Sequence, residues 1–407
     1  MSLLPLLLRA EGEAISQPDE LDKGTTDLER EFEKEKEGNP ISGQDQSERK
    51  TGPSEQSHLL TIVDRNQRTY SLDMLAAVDF LGEWDKETNH TTRNQFALRE
   101  GEMGVFANID HLAEGTFMVA AHNEGGAYFL EVHEAYFLFP RTPIPRTSLK
   151  LGKFFIDAGR LNSIHRHDWP FTTTPLVHKE LLAEEAVDQT GAEFRLLFPW
   201  SFWQELSIGA FNGKTFGHSH SEGPIKQNPL VNAHLKQFFP ITESLGWQSG
   251  FTGLRWHPDE NSNKHTEQYG FDNLVKWRFD RQWGFQFLTE IWYRETRQRR
   301  ARPYDPAAPP VETRVGGYAF FELQMWEEFF VAYRSDAFTD PNKRGQLGYT
   351  IKNGIAGDSI ILSWKPSEFA VFRVTATRST NLETGKRSYE YYFQSTFVIG
   401  KHPAHNY

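Results

Sequence analysis

Apolar and polar side chains alternate from Tyr269 to Arg294, and this alternation predicts two adjacent strands. Successive side chains of a strand point to opposite faces, so each strand has one apolar face and one polar face. On the second strand, Trp283, Phe285, Phe287, Thr289, Ile291 and Tyr293 alternate with positions that include Gln286, Glu290 and Arg294. A tilted strand of about ten residues is long enough to cross a bilayer. The pattern therefore favours a membrane β-barrel over a soluble domain.

The same alternation recurs from Ser71 to the C-terminus and predicts about sixteen strands, an even number, as in single-chain bacterial barrels. The predicted strands are 71–84, 94–109, 115–122, 126–139, 148–159, 190–199, 201–211, 228–238, 245–256, 267–280, 283–295, 315–326, 328–336, 356–365, 368–378 and 388–400. The predicted lipid-facing residues near the C-terminus are Ile360, Leu362, Trp364, Phe372, Val374, Tyr391, Phe393, Phe397 and Ile399. Between 115 and 159 the alternation is broken at Glu131, His133 and Glu134, which predicts a bulge or a shifted register.

The connections between the predicted strands alternate between short and long. Short turns are predicted at 199–200, 281–282, 327 and 366–367, with somewhat longer ones at 110–114 and 239–244. Long polar segments are predicted at 85–93, 160–189, 212–227, 257–266, 296–314, 337–355 and 379–387. Transmembrane barrels have short turns at one rim and long loops at the other, whereas a sandwich or propeller would not segregate its loops in this way.

Composition narrows the function classes. The chain has 407 residues, of which 14% are aromatic, with 11 Trp and 32 Phe, and barrels place such residues in belts at the two membrane interfaces. Its mean hydropathy is −0.60, and no run reaches the roughly eighteen apolar residues of a membrane helix. The net charge of −11 argues against nucleic-acid binding. The absence of cysteine excludes disulfides and cysteine-ligated metals.

Two segments precede the predicted barrel, which occupies residues 69–407. Residues 1–14 include an apolar run, Leu3 to Leu8, followed by small residues, which is typical of the remnant of a secretory signal peptide. Residues 15–68 are polar and poor in apolar side chains, so a disordered periplasmic leader is predicted there.

Residues 70–407 resemble the bacterial outer-membrane porins in three respects. These are the strand count with alternating connections, the long third loop at 160–189, and a last strand that leads to the aromatic Tyr407. The segment from Leu149 to Arg160 also resembles the entry to a porin constriction loop. Pro403 and His405 depart from the apolar residues that usually precede the terminal aromatic residue.

The resemblance implies an all-β, transmembrane antiparallel barrel in the outer membrane, with the third loop folded into the pore. Its expected activity is passive diffusion of small hydrophilic solutes or ions through a water-filled channel, as a monomer or a homotrimer, with no cofactor. The expected partners are outer-membrane lipid and the barrel-assembly machinery, which reads the C-terminal strand ending at Tyr407.

A channel needs a polar, electrostatically shaped lumen rather than a catalytic group. The third loop supplies Asp168, Glu180, Glu184, Glu185 and Asp188, and the predicted inward wall positions supply Arg160, Arg195, Lys236, Lys276, Arg278, Arg334 and Arg373. Acidic groups on the loop opposite basic groups on the wall would create a transverse field that orients solutes. Ordinary solvated charges are the alternative interpretation of these residues.

The loop histidines predict a second function, a surface barrel that binds a divalent metal or a macromolecular partner. His165, His167 and His178 lie in the third loop, and His218 and His220 lie in the fourth. A His-x-His pair on an extended segment places both rings on one face, which suits a metal, although no third ligand is fixed by the spacing.

Other function classes have less support. Enzyme motifs such as Gly-x-Ser-x-Gly, His-Glu-x-x-His and phosphate-binding glycine loops do not occur, so no enzymatic activity is predicted. A soluble, all-β, lectin-like protein is the third hypothesis.

Overall fold

The computed structural model describes residues 59–63, 69–85, 95–109, 112–124, 127–213, 229–257, 264–298, 311–339 and 354–401. The predicted signal remnant, most of the leader, Tyr407, His218 and His220 lie outside the described residues.

Almost every described element is a β-strand. The strands are β1 (Leu60–Val63), β2 (Thr69–Asp85), β3 (Gln95–Ile109), β4 (Ala113–Glu124), β5 (Ala127–Phe139), β6 (Thr147–Phe155), β7 (Asp188–Leu197), β8 (Trp203–Phe211), β9 (Leu230–Pro240), β10 (Leu245–Trp256), β11 (Lys264–Arg278), β12 (Gly284–Gln298), β13 (Val311–Gln324), β14 (Phe329–Thr339), β15 (Gly354–Ser367), β16 (Ala370–Asn381) and β17 (Arg387–Gly400). The helical elements are a 3-10 turn, Arg166–Asp168, and one α-helix, α1 (Leu176–Leu181). Within the described residues, no helix has the length and apolar character needed to span a bilayer.

Strands β2 to β17 form a closed antiparallel barrel of sixteen strands, as the sequence predicts. Each strand pairs with its neighbours in the chain, and the barrel closes where β17 pairs with β2 from Glu390↔Asp85 to Gly400↔Leu75. Strand β1 was not predicted, because it lies in the polar leader. It pairs with the start of β2, from Leu60↔Leu72 to Val63↔Thr69.

The two faces of the strands differ in the predicted way. Ile360, Leu362 and Val374 are more than half exposed on the outside of the barrel. Their neighbours in sequence, Ser359, Ser363 and Thr375, are buried on the inside. The period-2 alternation of a strand therefore produces an apolar exterior and a largely polar inner wall.

Register shifts interrupt the pairing in three of the described strand pairs, one of them β15–β16 between Trp364 and Ser367. The other two are bulges on neighbouring parts of the wall. In the β2–β3 pair the register shifts after Asp79↔Glu100, which leaves Arg99 as an extra residue. In the β4–β5 pair it shifts between Met118 and Val119, which leaves His133 as the extra residue. A bulge re-aims side chains, and His133 and the next residue in β5 are both buried. The predicted irregularity of 115–159 is confirmed.

Most connections on one rim are shorter than most connections on the other, although 140–146 has seven residues and 382–386 has five. The short connections are 110–112, 140–146, 198–202, 241–244, 279–283, 325–328 and 368–369. The opposite rim carries 86–94, 125–126, 156–187, 212–229, 257–263, 299–310, 340–353 and 382–386. Strict alternation is therefore wrong at 125–126, where only two residues join β4 to β5 on the long-loop rim. Both are glycines, which suit two-residue hairpin turns.

Closure of the barrel can be tested with two cysteine pairs in this cysteine-free chain. Val78 and Phe397 are partners across β2 and β17 and are both exposed, so Val78→Cys/Phe397→Cys should form a disulfide on oxidation. Phe393 pairs with Gly82 instead, about 13 Å further along β2 at about 3.3 Å per residue, so Val78→Cys/Phe393→Cys should not crosslink. The measurement is the gel mobility of the denatured protein. Equal crosslinking of both pairs would contradict the closure.

Candidate functional site

The segment 156–187, between β6 and β7, packs against the inward-facing side chains of the barrel. Its apolar residues, among them Trp169, Phe171 and Val177, are fully buried. The Phe171 ring lies between those of Tyr318 and Phe320 on β13, with centroid distances of 5.7 and 5.4 Å. These residues belong to one apolar cluster that also includes inward residues of β8 to β15. Burial of this cluster stabilises the segment on the wall.

Glu290, a fully buried inward residue of β12, is the main polar anchor of the segment. It accepts hydrogen bonds from the backbone N–H groups of Arg160 (3.2 Å) and Leu161 (2.9 Å) and from Nε2 of His178 (2.9 Å). Two wall residues also donate to it, Trp292 through Nε1 (2.9 Å) and Tyr318 through its hydroxyl (3.1 Å). A buried carboxylate is tolerated only when it is paired in this way, so the segment and Glu290 depend on each other.

Further hydrogen bonds tie the segment to several other strands. On β14, Arg334 donates to the carbonyl and the hydroxyl of Thr173, and Asp336 accepts from the backbone N–H of Leu176. Four more residues of the segment form hydrogen bonds with wall residues. These bonds join Gly159 N–H to Thr252, Arg160 to Gln248, Thr172 to Arg99 and to Thr375, and the Leu181 carbonyl to Arg294.

At β3 and β5 the segment meets a group of buried histidines and carboxylates. Glu102 on β3 lies 2.8 Å from Nδ1 of His133, 2.9 Å from Nδ1 of His165 and 3.1 Å from Nδ1 of His167. Nε2 of His165 lies 3.4 Å from Glu134 on β5. The histidines of the segment therefore face wall carboxylates inside the barrel.

The pKa values of these two segment histidines reflect this acidic environment. Burial disfavours the protonated ring of His165, but Glu102 and Glu134 outweigh it and raise the pKa of His165 well above its usual value. For His167, the effect of burial is likewise outweighed by Glu102 and Asp168, which raise its pKa. The negative charge of the surrounding carboxylates thus favours the protonated form of both histidines.

The structure separates the residues predicted for one constriction into several environments. Arg160 was predicted on the wall, and this is wrong: β6 ends at Phe155, so Arg160 lies on the segment. The strand cannot continue through Gly159, whose φ is +62°. Asp168, Glu180, Glu184 and Glu185 lie on the segment, where Glu180 and Glu184 are exposed and Glu185 is buried.

The predicted basic wall residues mostly have partners on the wall or the segment. Arg195 pairs with Glu193 (2.7 Å), Arg334 with Asp336 (2.7 Å), and Arg373 donates to Gln394 (3.0 Å). Lys236 contacts Asp157 of the segment, and Asp188, at the start of β7, contacts Lys153. Lys276 and Arg278 line a cavity at the short-turn end of the barrel.

A cavity of about 850 Å³ lies inside the short-turn end of the barrel. Its lining includes Lys276, Arg278 and Lys365, and the acidic residues Glu243, Glu322 and Glu327. Gln248, which accepts the hydrogen bond from Arg160, also lines it. The cavity is large enough for several water molecules or a small solute.

The three histidines predicted as one metal site are not brought together. His165 and His167 lie beside Glu102, whereas His178 bonds Glu290 on β12. Among the described residues, no group of converging ligand atoms contains His178. Sequence reasoning missed the anchoring role of Glu290 and the inward position of His133. The broken alternation at His133 was the signal for the latter.

The fold is that of the outer-membrane porins. The anion-selective porin from Comamonas acidovorans superposes with a TM-score of 0.55 at 6% identity, over 81% of this chain and 100% of that one. Salmonella typhi OmpF, in complex with daunomycin, gives 0.51 at 10% identity, over 84% and 100% of the two chains. The trimer form of in-vitro-folded OmpT from Vibrio cholerae gives 0.50 at 9% identity, over 81% and 99%.

Comparison of the sequence finds a distant relative but no family. An uncharacterised protein of Aquifex aeolicus (strain VF5) is 25% identical over 338 residues, which cover 76% of this chain and 70% of that protein. No protein-family model matches the chain.

The anchoring of the segment by Glu290 can be tested at Gly159. A Cβ added there would lie 2.6 Å from both Glu290 Oε2 and Trp292, whereas one added at Gly385 (φ +70°) meets nothing within 4 Å. Both alanine variants should lose about 1–2 kcal/mol through the left-handed backbone. Only Gly159→Ala should also displace Glu290, and so expose 156–187 to protease. Equal proteolysis of the two folded variants would contradict this role.

Proposed function

We propose that this protein is an outer-membrane channel for passive diffusion of small hydrophilic solutes or ions. The observation that carries the proposal is a closed barrel with an apolar exterior, a polar inner wall and a charged cavity at one mouth. The proposal involves no catalytic step, because a channel acts through the size and charge of its lumen.

The exterior supports a membrane location. Large apolar side chains are exposed around the barrel, and a protein in water rarely exposes so much contiguous apolar surface. At the short-turn rim, aromatic rings form a chain with centroid distances from 5.0 to 5.6 Å: Phe198, Trp200, Phe202, Phe239 and Trp247. Such a belt suits one membrane interface.

The height of the exterior also suits a bilayer. Trp283, which directly precedes β12 at the short-turn rim, is ten residues from Tyr293, which corresponds to about 25 Å for a strand tilted by about 40°. Tyr293 bonds Glu295 and Tyr269 bonds Glu267, so these tyrosines direct their hydroxyl groups to carboxylates at the opposite rim. This arrangement supports a second interface there.

The segment 156–187 is proposed to fold into the lumen and narrow it. Strands β4 and β12 are eight positions apart in the ring of sixteen strands and so lie on opposite sides of the barrel. The segment contacts Glu290 on β12 and, on the other side, Glu102 on β3 and Glu134 on β5. Inward residues such as Gln268, Glu290 and Gln394 are fully buried, which supports a narrow passage and a small conductance.

The cavity at the short-turn mouth is the proposed site of charge selection. Lys276 and Arg278 line this cavity, as expected for pore-lining residues. The negative charges of Glu243, Glu322 and Glu327 balance the positive charges of Lys276, Arg278 and Lys365. We therefore expect weak ion selectivity, which single substitutions in this cavity should shift.

The alternative of a surface barrel that binds metal through exposed loop histidines is not favoured. His165, His167 and His178 are 6%, 3% and 0% exposed and face the inner wall. A homotrimer is supported only by the fold, since the similar Vibrio cholerae OmpT has a trimer form. Insertion by the barrel-assembly machinery remains part of the proposal.

The membrane location predicts a depth-dependent cost of charge on the exterior. Ile360, in the middle of β15, and Ile399, at the short-turn end of β17, are both well exposed. Ile360→Arg should lower the free energy of unfolding by about 2–4 kcal/mol, and Ile399→Arg by about 0–1 kcal/mol. Urea unfolding from lipid vesicles measures both values. Two equal, small costs would contradict a lipid-facing β15.

The channel itself is tested in a planar bilayer, where the purified protein should give small stepwise conductance. Arg278→Gln should shift the reversal potential in a salt gradient toward cation selectivity, because it removes a positive charge from the cavity. Arg378→Gln is the matched control, since Arg378 lies on the exterior beside Asp358. A folded but silent barrel would refute the channel function.

A further inference from the structure

Four buried side chains converge on one point of the inner wall: Glu100 on β3, His122 on β4, His133 on β5 and Glu185 on the segment 156–187. We call them the His–Glu cluster. One ligand atom from each lies within 4.8 Å of the others. The Nε2 atoms of His122 and His133 are 2.5 Å apart and lie 3.9 and 3.8 Å from Glu185 Oε2. Glu131 lies 3.2 Å from His133 Nε2 and offers a further carboxylate.

The cluster has the side chains of a site for a divalent transition metal. The contacts of Glu185 with the two histidines also match the spacing of such a site, whereas the two Nε2 atoms, 2.5 Å apart, must separate when an ion binds. Imidazole nitrogens and carboxylate oxygens bind Zn²⁺ at about 2.0–2.2 Å, so ligand atoms around one ion lie about 3–4 Å apart. A mixture of imidazole and carboxylate ligands without thiolate suits Zn²⁺, Fe²⁺ or Mn²⁺ rather than Cu⁺.

Two buried carboxylate oxygens support a cation at this point. Glu100 and Glu185 are 1% and 4% exposed. Within the described part of the structure, Oε1 of each accepts no hydrogen bond. A buried carboxylate oxygen without a partner is costly, and a metal ion would supply one. Arg166, 3.4 Å from Oε2 of Glu100, supplies one positive charge beside these two carboxylates.

The surroundings of His133 match those of a metal-ligating histidine. While Nε2 faces the cluster, Nδ1 lies 2.8 Å from Oε1 of Glu102. Such a carboxylate orients the ring and leaves Nε2 available as a ligand. The bulge at Met118/Val119 makes His133 the extra residue of β5 and allows it to be fully buried. Bulges are frequent beside functional sites because they re-aim a side chain.

We propose that Glu100, His122, His133 and Glu185 bind one divalent transition-metal ion, with Zn²⁺ as the probe of choice and Glu102 as the positioning residue of His133. Three ligands lie on the wall and the fourth lies on the segment, so the ion ties the end of the segment to β3–β5. A network of protonated histidines and carboxylates with Arg166, without a metal, is the competing explanation. The proposal does not depend on conductance.

The test is calorimetric titration of Zn²⁺ into the folded, chelator-treated protein in detergent, with elemental analysis of the bound metal. Wild type should bind one Zn²⁺ that His133→Gln and Glu185→Gln both abolish. Glu102→Gln should weaken binding by about 10–100-fold, as expected for an orienting residue. His234→Gln is the matched control, because His234 is equally buried but pairs with Asp157 and Asp272.

Two results would overturn the proposal: a folded wild type that binds no Zn²⁺, or binding that His133→Gln and Glu185→Gln leave unchanged. The second result would place the metal elsewhere on the chain. Heat-modifiable gel mobility verifies the fold of each variant. If the wall variant His133→Gln does not fold, Glu185→Gln decides, because its residue lies outside the strands. A silent channel with intact zinc binding would refute only the proposed function.

Discussion

The pairing of β17 with β2 removes the open edges of the sheet, and the other features of the molecule follow from this closure. Every strand of the barrel has two neighbours, so its backbone groups are paired without help from water. β1 continues this protection, because it pairs with the part of β2 beyond the end of β17. Closure also divides the side chains into an outer and an inner set, which makes an apolar exterior compatible with a charged interior.

The closed wall also determines how the interior is organised. Apolar residues of the segment pack on β12 and β13, and His178 bonds Glu290 on β12, while His165 and His167 face the carboxylates of β3 and β5. Because these strands lie on opposite sides of the barrel, the segment contacts the wall on two opposite sides. Glu290 accepts hydrogen bonds from the segment as well as from the wall, so the segment and Glu290 stabilise each other.

The sequence predicted the strands well because period-2 alternation is a local property. Ile360 and Ser359, for example, are assigned to opposite faces by their neighbours alone. The bond between His178 and Glu290 joins residues 112 positions apart. No local pattern encodes this contact, because it forms only after the barrel has closed.

The errors of sequence reasoning have equally specific causes. Arg160 was placed on the wall because the strand there was predicted to extend to residue 159, although the chain leaves the sheet after Phe155. The histidines were grouped by their spacing, whereas the structure groups His133 with His122 and separates His178. Bulges such as the one at His133 break the period on which the prediction depends.

Hydrogen bonds to β10 and β12 hold the start of the segment 156–187 against the inner wall. Hydrogen–deuterium exchange of the folded protein in detergent tests this attachment most directly, because the backbone N–H groups of Gly159, Arg160 and Leu161 are bonded to wall side chains. These amides should exchange as slowly as those of β12. Exchange within seconds, while β12 remains protected, would contradict this attachment.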